Sequence, residues 1–435
     1  MKSEIMKSFN QENQGSDNMS KQPSTKPFFN STIPSDWEVM ELGKIFKLTS
    51  GKTKPAVLFE NPVDENIYPV YGGNGIMGYS SEYNSEGEKI IIGRVGEYCG
   101  VTRFLNELCW ITDNALLTKE FLTDIDIKFL AFKLQQEDLS KLRSKGGQPL
   151  VSQVPISIHK IVLPKSLPEQ KAIAHILSLM DTAINQNNLL IAKKDLQKKW
   201  FKQQLLTGKK RLKGFEKEKW KIVKLGDAFE FIKSYSISRE GLTKSNRVNS
   251  IYCIHYGDIH AFYESEFLNF STQQSIPQII DNAQLVNKED YLKEGDVIMA
   301  DASEDYEGVG EVVEVTNLEN KIAVGGLHTI VLRGNSDFTA KGFRGYLFSS
   351  EAVRNVMRKM STGTSVYSVT KTTLHNLLLN IPISLKEQTA IAKVLLAADK
   401  EIQLLKTKTE KLRELKKGLM QVLLTGKKRL KLNHT

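Results

Sequence analysis

At 435 residues, with 40% hydrophobic and 25% charged side chains, the chain is long enough for two or three globular domains with cores of their own. No apolar run approaches the roughly 18 to 20 residues of a membrane span, and Cys99, Cys109 and Cys253 are odd in number without CxxC spacing, so they read as reduced filler and exclude both a disulfide framework and a zinc site. A formal net charge of +10 favours an anionic partner, with nucleic acid first, in a cytoplasmic protein.

Residues 1–36 are rich in Ser, Asn, Gln and Lys, lack an aliphatic cluster and lack the apolar core of a signal peptide, so a disordered polar tail is expected there. A first globule follows over 37–166. It opens on WEVMELGKIF and mixes strand-like segments, KIIIGRVG and GVTRF, with helical ones, an α+β pattern. The run VYGGNGIMGY at 70–79 is turn-rich; its glycines suit either close approach to a partner or plain tight turns.

Next, at 167–212, comes a helical region that opens on Glu169-Gln170 and closes on LLTGKKRL at 205–212. Ile173, Leu177, Met180, Ile184, Asn187, Ile191, Phe201 and Leu205 follow a heptad seam. Asn187, with Lys194 and Lys198 after it, suits one specified partner in one register, while the polar run 185–188 invites a kink or a partner-binding patch.

A second α+β globule spans 213–384, starting at WKIVKLGDAF, with strand-like GDVIMA, GEVVEV and HTIVL. A second helical region, 385–431, opens on Glu387-Gln388 and closes on LLTGKKRL at 423–430; residues 432–435 are a tail. Its seam runs through Ile391, Leu395, Ile402, Leu405, Leu412, Leu419 and Leu423.

The helical regions are copies 218 residues apart, without insertion or deletion from Leu167 and Leu385 onward, whereas Trp37, Leu42, Gly43 and Phe46 recur 183 residues later as Trp220, Leu225, Gly226 and Phe229. A packed helix tolerates no register change without rotating its buried stripe, so the helices are scaffold and the globules between them are free to vary. Gly147, Ser152 and His159 match Gly363, Ser368 and His375 at equal internal spacing. From about 168 to 206 and 386 to 424 each helix would be on the order of 55 to 60 Å long. Pairing the two antiparallel, with a globule at each end, gives a dumbbell with pseudo-two-fold symmetry.

No catalytic engine is legible. Ser50-Gly51-Lys52-Thr53 resembles the end of a phosphate loop, but Phe46 stands where GxxxxGK[ST] needs glycine. No dinucleotide fingerprint and no adenine-methyltransferase motif occurs, and the seven histidines lack metal-ligand spacing. His159 and His375 read as packing residues, and Asp301 with Asp305 as an isolated carboxylate pair.

This layout, two variable globules alternating with two conserved helices, resembles the specificity subunit of type I restriction-modification systems. The resemblance rests on the paired Glu-Gln openings, the paired LLTGKKRL endings, Trp37 and Trp220, and on VYGGNGIMGY, IIIGRVGEYCG and ITDNA. It implies a non-catalytic subunit in which each globule reads half of a split, asymmetric sequence in double-stranded DNA. The helices would set the spacing and dock two methyltransferase subunits that methylate adenine N6. Cofactors would belong to partners: S-adenosylmethionine to the methyltransferases, ATP and Mg to restriction subunits where these join.

Base reading needs polar and Arg side chains on loops, with phosphates held by Lys and backbone amides. The candidates are Asn74, Arg94, Tyr98, Arg103, Lys145 and Gln148 in the first globule and Tyr235, His260, Ser303, Tyr306, His328, Thr364 and Tyr367 in the second. A coiled-coil adaptor joining two protein partners without reading DNA is the rival expectation.

Overall fold

The computed structural model describes residues 26–28, 31–63, 67–144, 146–245, 250–263, 265–280, 286–363 and 365–430. The chain divides into two compact units, one formed by residues up to 186 together with those from 408 onward, the other by 187–407. The division falls within both long helices, not at 166/167 and 384/385 where the sequence changes character, because each helix end is built into a globule's core.

In the first unit a hairpin of β1 (Lys26–Phe28) and β2 (Ser31–Ile33) precedes β3 (Trp37–Glu41), α1 (Leu42–Ile45) and β4 (Phe46–Ser50). Then come β5 (Tyr68–Gly72), β6 (Gly75–Ser80), β7 (Glu88–Gly93), β8 (Thr102–Asn106), β9 (Trp110–Ile111) and β10 (Ala115–Phe121). Helices α2 (Ile127–Glu137) and α3 (Gln153–Ile158) and strand β11 (Lys160–Pro164) lead into α4 (Leu167–Leu205). One sheet has the order β4-β10-β7-β8, all antiparallel; a second has the order β6-β5-β9, with β5 and β9 parallel.

The second unit repeats this plan. It has β12 (Trp220–Lys224), α5 (Leu225–Ala228), β13 (Phe229–Ile232), β14 (Leu242–Thr243), β15 (Ile251–Ile254), α6 (Tyr256–Ala261), β16 (Phe267–Asn269) and β17 (Gln278–Ile279). Then follow β18 (Val297–Ala300), β19 (Ala302–Ser303), β20 (Val312–Thr316), β21 (Ile322–Gly325) and β22 (Thr329–Gly334). Helices α7 (Arg344–Phe348) and α8 (Glu351–Met360), β23 (Tyr367–Ser368), α9 (Lys371–His375), β24 (Leu378–Pro382) and α10 (Leu385–Leu423) complete it. Its sheets have the orders β13-β22-β18-β20-β16 and β14-β17-β15-β21, with two parallel pairs, β15 with β21 and β16 with β20. The globules thus share one α+β frame although their middle sequences have diverged, and the second adds β14 and β16 as edge strands.

Both long helices have 39 residues, and α4 runs unbroken through the polar stretch 185–188. Within each unit the two helices pair antiparallel. In the first, Ile173 and Leu177 share a core with Leu423 and Leu424, and Lys416 reaches Asp181 at 2.6 Å. In the second, Leu205 shares a core with Ile391 and Leu395, Lys194 meets Glu401 at 2.9 Å and Lys198 meets Asp399 at 2.5 Å. In each unit, numbers climb on one helix as they fall on the other.

The heptad positions fall into two classes of burial. Ile173, Leu177, Met180, Ile184, Leu205, Ile391, Leu395, Ile402 and Leu423 are buried, and Ile191, Leu405, Leu412 and Leu419 half-buried.

The repeated motifs close each globule with the opposite helix. Arg429, from the second LLTGKKRL, donates two hydrogen bonds to Glu169 at 2.6 and 2.8 Å and lies over the Trp37 ring; Arg211, from the first, donates two to Glu387 at 2.7 Å and lies over Trp220. Gln170 donates to the Pro164 carbonyl and accepts from the Asp126 amide, both at 2.9 Å; Gln388 does the same with Pro382 at 2.9 Å and Ala340 at 2.7 Å. Gly208 and Gly426 both have φ of 72°, the left-handed turn that ends each helix, and stand against Trp220 and Trp37.

Two expectations need correction. Residues 33–36 belong to the globule and not to a polar tail: Ile33 is buried in the first core and Asp36 pairs with Arg429 at 2.5 Å. Of the rest of that assignment, 26–28 and 31–32 form the β1–β2 hairpin, and 1–25 and 29–30 lie outside the described residues.

The match of Gly147, Ser152 and His159 to Gly363, Ser368 and His375 is also out of structural register by two. The Leu42 amide donates to His159, whereas its repeat Leu225 donates to Leu377; Ser152 and Thr370 occupy the equivalent positions before α3 and α9. The true offset at this point is already the 218 of the helices.

Candidate nucleic-acid interface

In the first globule one set of loop ends converges. The Lys52 amide donates to Ile111 and the Asp113 amide to Lys52; the Arg94 amide donates to Asn114, the Val151 amide to Arg94 and the Gly96 amide to Pro149, all at 2.8 to 3.0 Å. This joins the segments 51–54, 72–75, 93–101, 111–114 and 146–151. Glycine is required where turns touch: a Cβ on Gly93 would lie 2.4 Å from the Tyr98 carbonyl oxygen and 2.7 Å from that of Gly73. The GGNG run therefore serves close packing of turn on turn inside the globule.

Of the predicted residues here, Asn74, Tyr98 and Gln148 are exposed on these loops. Arg94 joins them, donating to Ser50 Oγ at 3.2 Å. Arg103 does not point outward as a free reader. Its guanidinium donates to the carbonyls of Gly73 at 3.2 Å and Asn74 at 2.7 Å, so it holds the turn that presents Asn74. Its half-burial also lowers its pKa. Lys145 lies outside the described residues.

The second globule brings together the equivalent loops through equivalent hydrogen bonds. The Asp301 amide donates to His328 at 3.1 Å as that of Arg94 does to Asn114, and the Val369 amide donates to Asp301 at 2.9 Å as that of Val151 does to Arg94. Asp301 thus occupies the backbone position of Arg94. His260 bonds Glu311 Oε2 through Nδ1 at 2.7 Å and the Ala302 carbonyl through Nε2 at 3.1 Å, and the Glu311 bond raises its pKa. His328, at a φ of 54°, bonds Asp301 at 3.2 Å; burial raises the Asp301 pKa, opposed by His328. Tyr306 packs edge-on against Tyr367, with ring centroids 5.4 Å apart, and Tyr256 packs against both His260 and His328.

Two predicted residues are spent internally. Ser303 is buried and its Oγ accepts from the Asp305 amide at 3.3 Å. Tyr235 donates its hydroxyl to Asp290 at 2.6 Å and accepts from the Asn287 amide at 2.8 Å, which ties down a loop instead of leaving a free reader. Thr364 lies outside the described residues.

Sequence reasoning passed over Lys52, Asn114, Tyr256, Glu304 and Arg354. Lys52 sits in the segment set aside as a failed phosphate loop and Asn114 in ITDNA; the other three carried no local signal. His159 lies 3.6 Å from Glu137, and His375 lies against Gly226 and the Phe231 ring, both beside packed elements. Among the described residues no group of three or more His, Cys, Asp or Glu is placed to hold a metal, and no helix is long and apolar enough to cross a membrane.

The profile of the type I restriction modification DNA specificity domain matches twice, at residues 34–193 and 217–414. The chain belongs to this family. It is 28% identical to the type I restriction enzyme MjaVIII specificity subunit of Methanocaldococcus jannaschii, over 94% of this chain and 97% of that protein. Over 33% of this chain and 36% of that protein, it is 32% identical to the EcoprrI specificity subunit of Escherichia coli. The fold is similar to a crystal structure of the S subunit of a type I restriction-modification system from M. genitalium, with a TM-score of 0.59 and 15% identity over 94% of this chain and 100% of that one. A second similar structure comes from work on complex assembly and conformational transition of a type I system, with a TM-score of 0.54 and 13% identity over 91% and 99%. As a type I specificity subunit, the chain has a role in DNA sequence recognition.

Proposed function

We propose that each globule reads one half of a bipartite, asymmetric target in double-stranded DNA and that this subunit is not itself catalytic. The observation that carries this reading is the pair of loop clusters, built on one topology and one hydrogen-bond frame but lined by different side chains. A fixed frame with exchanged chemistry is what two readers of unlike half-sites need.

The paired helices set the separation of the half-sites and dock two methyltransferase subunits that use S-adenosylmethionine to methylate adenine N6. ATP- and Mg-dependent restriction subunits join the same assembly where they are present, and the assembly works in the cytoplasm. Supporting the docking role, Leu189, Leu196 and Leu404 are 69 to 73% exposed on the helices, beside the half-exposed Trp200, an outward apolar face of the kind that a partner covers.

The test is single-molecule sequencing of modified adenine in host DNA with and without this gene. Loss of methylation at one split motif is the expected result. Unchanged methylation in a strain that expresses its methyltransferase would overturn the proposal in favour of an adaptor.

A further inference from the structure

The reading loop of the second globule poses an electrostatic problem. Residues 301–311 carry Asp301, Glu304, Asp305, Glu307 and Glu311 on one short stretch. Carboxylates can accept hydrogen bonds from amino groups on base edges, but they repel phosphates, and phosphate contacts supply most of the affinity of a DNA-binding protein. Cations that anchor the backbone must therefore lie beside this loop.

One cation-lined surface is continuous with it. A cleft of about 640 Å³ at the reading loop shares Glu351 and Arg354 with a second cleft of about 630 Å³, whose opposite wall is the C-terminal part of α4. That wall brings Lys198, Lys199, Lys202 and Lys209 to one opening. Lys198 and Lys202 are held by Glu266, whose carboxyl burial would push up but which Lys202 and Lys198 hold at about 2. Lys199 and Lys209 are exposed and make no ion pair among the described residues. Ser349 and Ser350 line the same cleft.

We infer that the second globule divides its work: the 301–311 loop meets base edges, while the phosphodiester backbone beside that half-site is held in the cleft between α4 and α8 by Lys199, Lys202, Lys209 and Arg354. The scaffold helix is then part of the DNA-binding surface and not only a spacer. This rests on the proposal that the second globule reads DNA. The sign of the charges favours an anion with several negative groups: Lys198, Lys199, Lys202, Lys209 and Arg354 outnumber the two carboxylates, Asp195 and Glu351, that line the same cleft.

The experiment uses the subunit assembled with its methyltransferase partners and carrying Lys199→Ala with Lys209→Ala. DNA affinity is measured against salt on target and non-target duplexes, with the methylated motif read in parallel. The expected result is weaker binding to both duplexes and a salt dependence shallower by about 2, at about 0.9 for each phosphate that is no longer neutralised. The motif should be unchanged, because these residues touch no base. Affinity and slope equal to those of the unaltered assembly overturn the inference. So does loss of a methyltransferase subunit from the assembly, which would make the surface a protein interface. Failure of the unaltered assembly to bind DNA would instead overturn the functional proposal on which the inference rests.

Discussion

The loop clusters of the two globules share a frame and differ in sign. At the position where the first globule places Arg94, the second places Asp301, with matching backbone hydrogen bonds on either side. Around Arg94 lie Lys52, Lys54 and the carbonyl-clamping Arg103; around Asp301 lie four more acids, two histidines and the Tyr306–Tyr367 pair. On the proposed reading, one set of loops in the first globule would offer cations for phosphates as well as amides and donors for bases. In the second these tasks would be separated in space. A conserved topology can thus keep loops in place while their electrostatics reverse, provided that charge is supplied elsewhere on the same domain.

The motifs that close the two globules differ as well, and this sets the largest expected effect. Glu387 is wholly buried and Arg211 mostly so, whereas Arg429 is more exposed and shares its charge between Glu169 and Asp36. Arg211→Ala leaves a buried carboxylate uncompensated, and we expect it to destabilise the second unit by about 3 to 5 kcal/mol. Arg429→Ala should cost the first unit less, about 1 to 3 kcal/mol, because the Arg429 side chain is 38% exposed against 19% for Arg211, so water screens more of its interaction. Denaturant unfolding of the two variants checks the order; equal losses would erase the distinction.

Exchanging residues 37–166 for the first globule of another family member should change one half of the methylated motif and leave the other intact. Sequencing of modified adenine reads this directly, and a change in both halves would break the modular comparison. Within the intact chain, Arg94→Ala should weaken binding to any duplex and lower the salt slope by about 1. Asp301→Asn should alter discrimination at the other half-site, by about 1 to 3 kcal/mol if it makes a paired base contact, without changing the slope. Titrations at several salt concentrations separate the two behaviours.

The smallest effect concerns pH. His260 has a folded pKa raised by Glu311, so its contribution is complete below the unfolded value near 6.5 and is lost as pH rises through the folded value. As an imidazolium it donates to Glu311 and the Ala302 carbonyl together and clasps the reading loop from two sides. Binding at the second half-site should therefore weaken with rising pH in that window, and His260→Gln should flatten the dependence.

Much of this was legible in the chain. The repeat located both helices to within one residue at either end, and the heptad positions named the buried seam. The strand-like segments KIIIGRVG, GDVIMA, GEVVEV and HTIVL lie in or across inner strands of the larger sheets, and GVTRF runs into the edge strand β8. The loops were located more reliably than their chemistry. Ser303, Tyr235 and Arg103 look like readers in sequence because they are polar and near turns, but each spends its polar atoms on its own backbone or on a neighbouring acid. Lys52 was hidden in a motif judged only as a failed phosphate loop. The matching His159 and His375 suggested an alignment that the hydrogen bonds of Leu42 and Leu225 refute.

What the sequence determined by itself is whatever depends on spacing along the chain: the heptad seam, the helix ends, the paired arginines and glutamates, and the order of strands and loops. These follow from local periodicity, and a repeat without insertions preserves it. The tertiary structure alone decided which loops meet, which polar atoms remain free, and that Asp301 stands in the place of Arg94. Those outcomes depend on contacts between strands far apart in the chain, where side chains that share no pattern compete for the same hydrogen bonds.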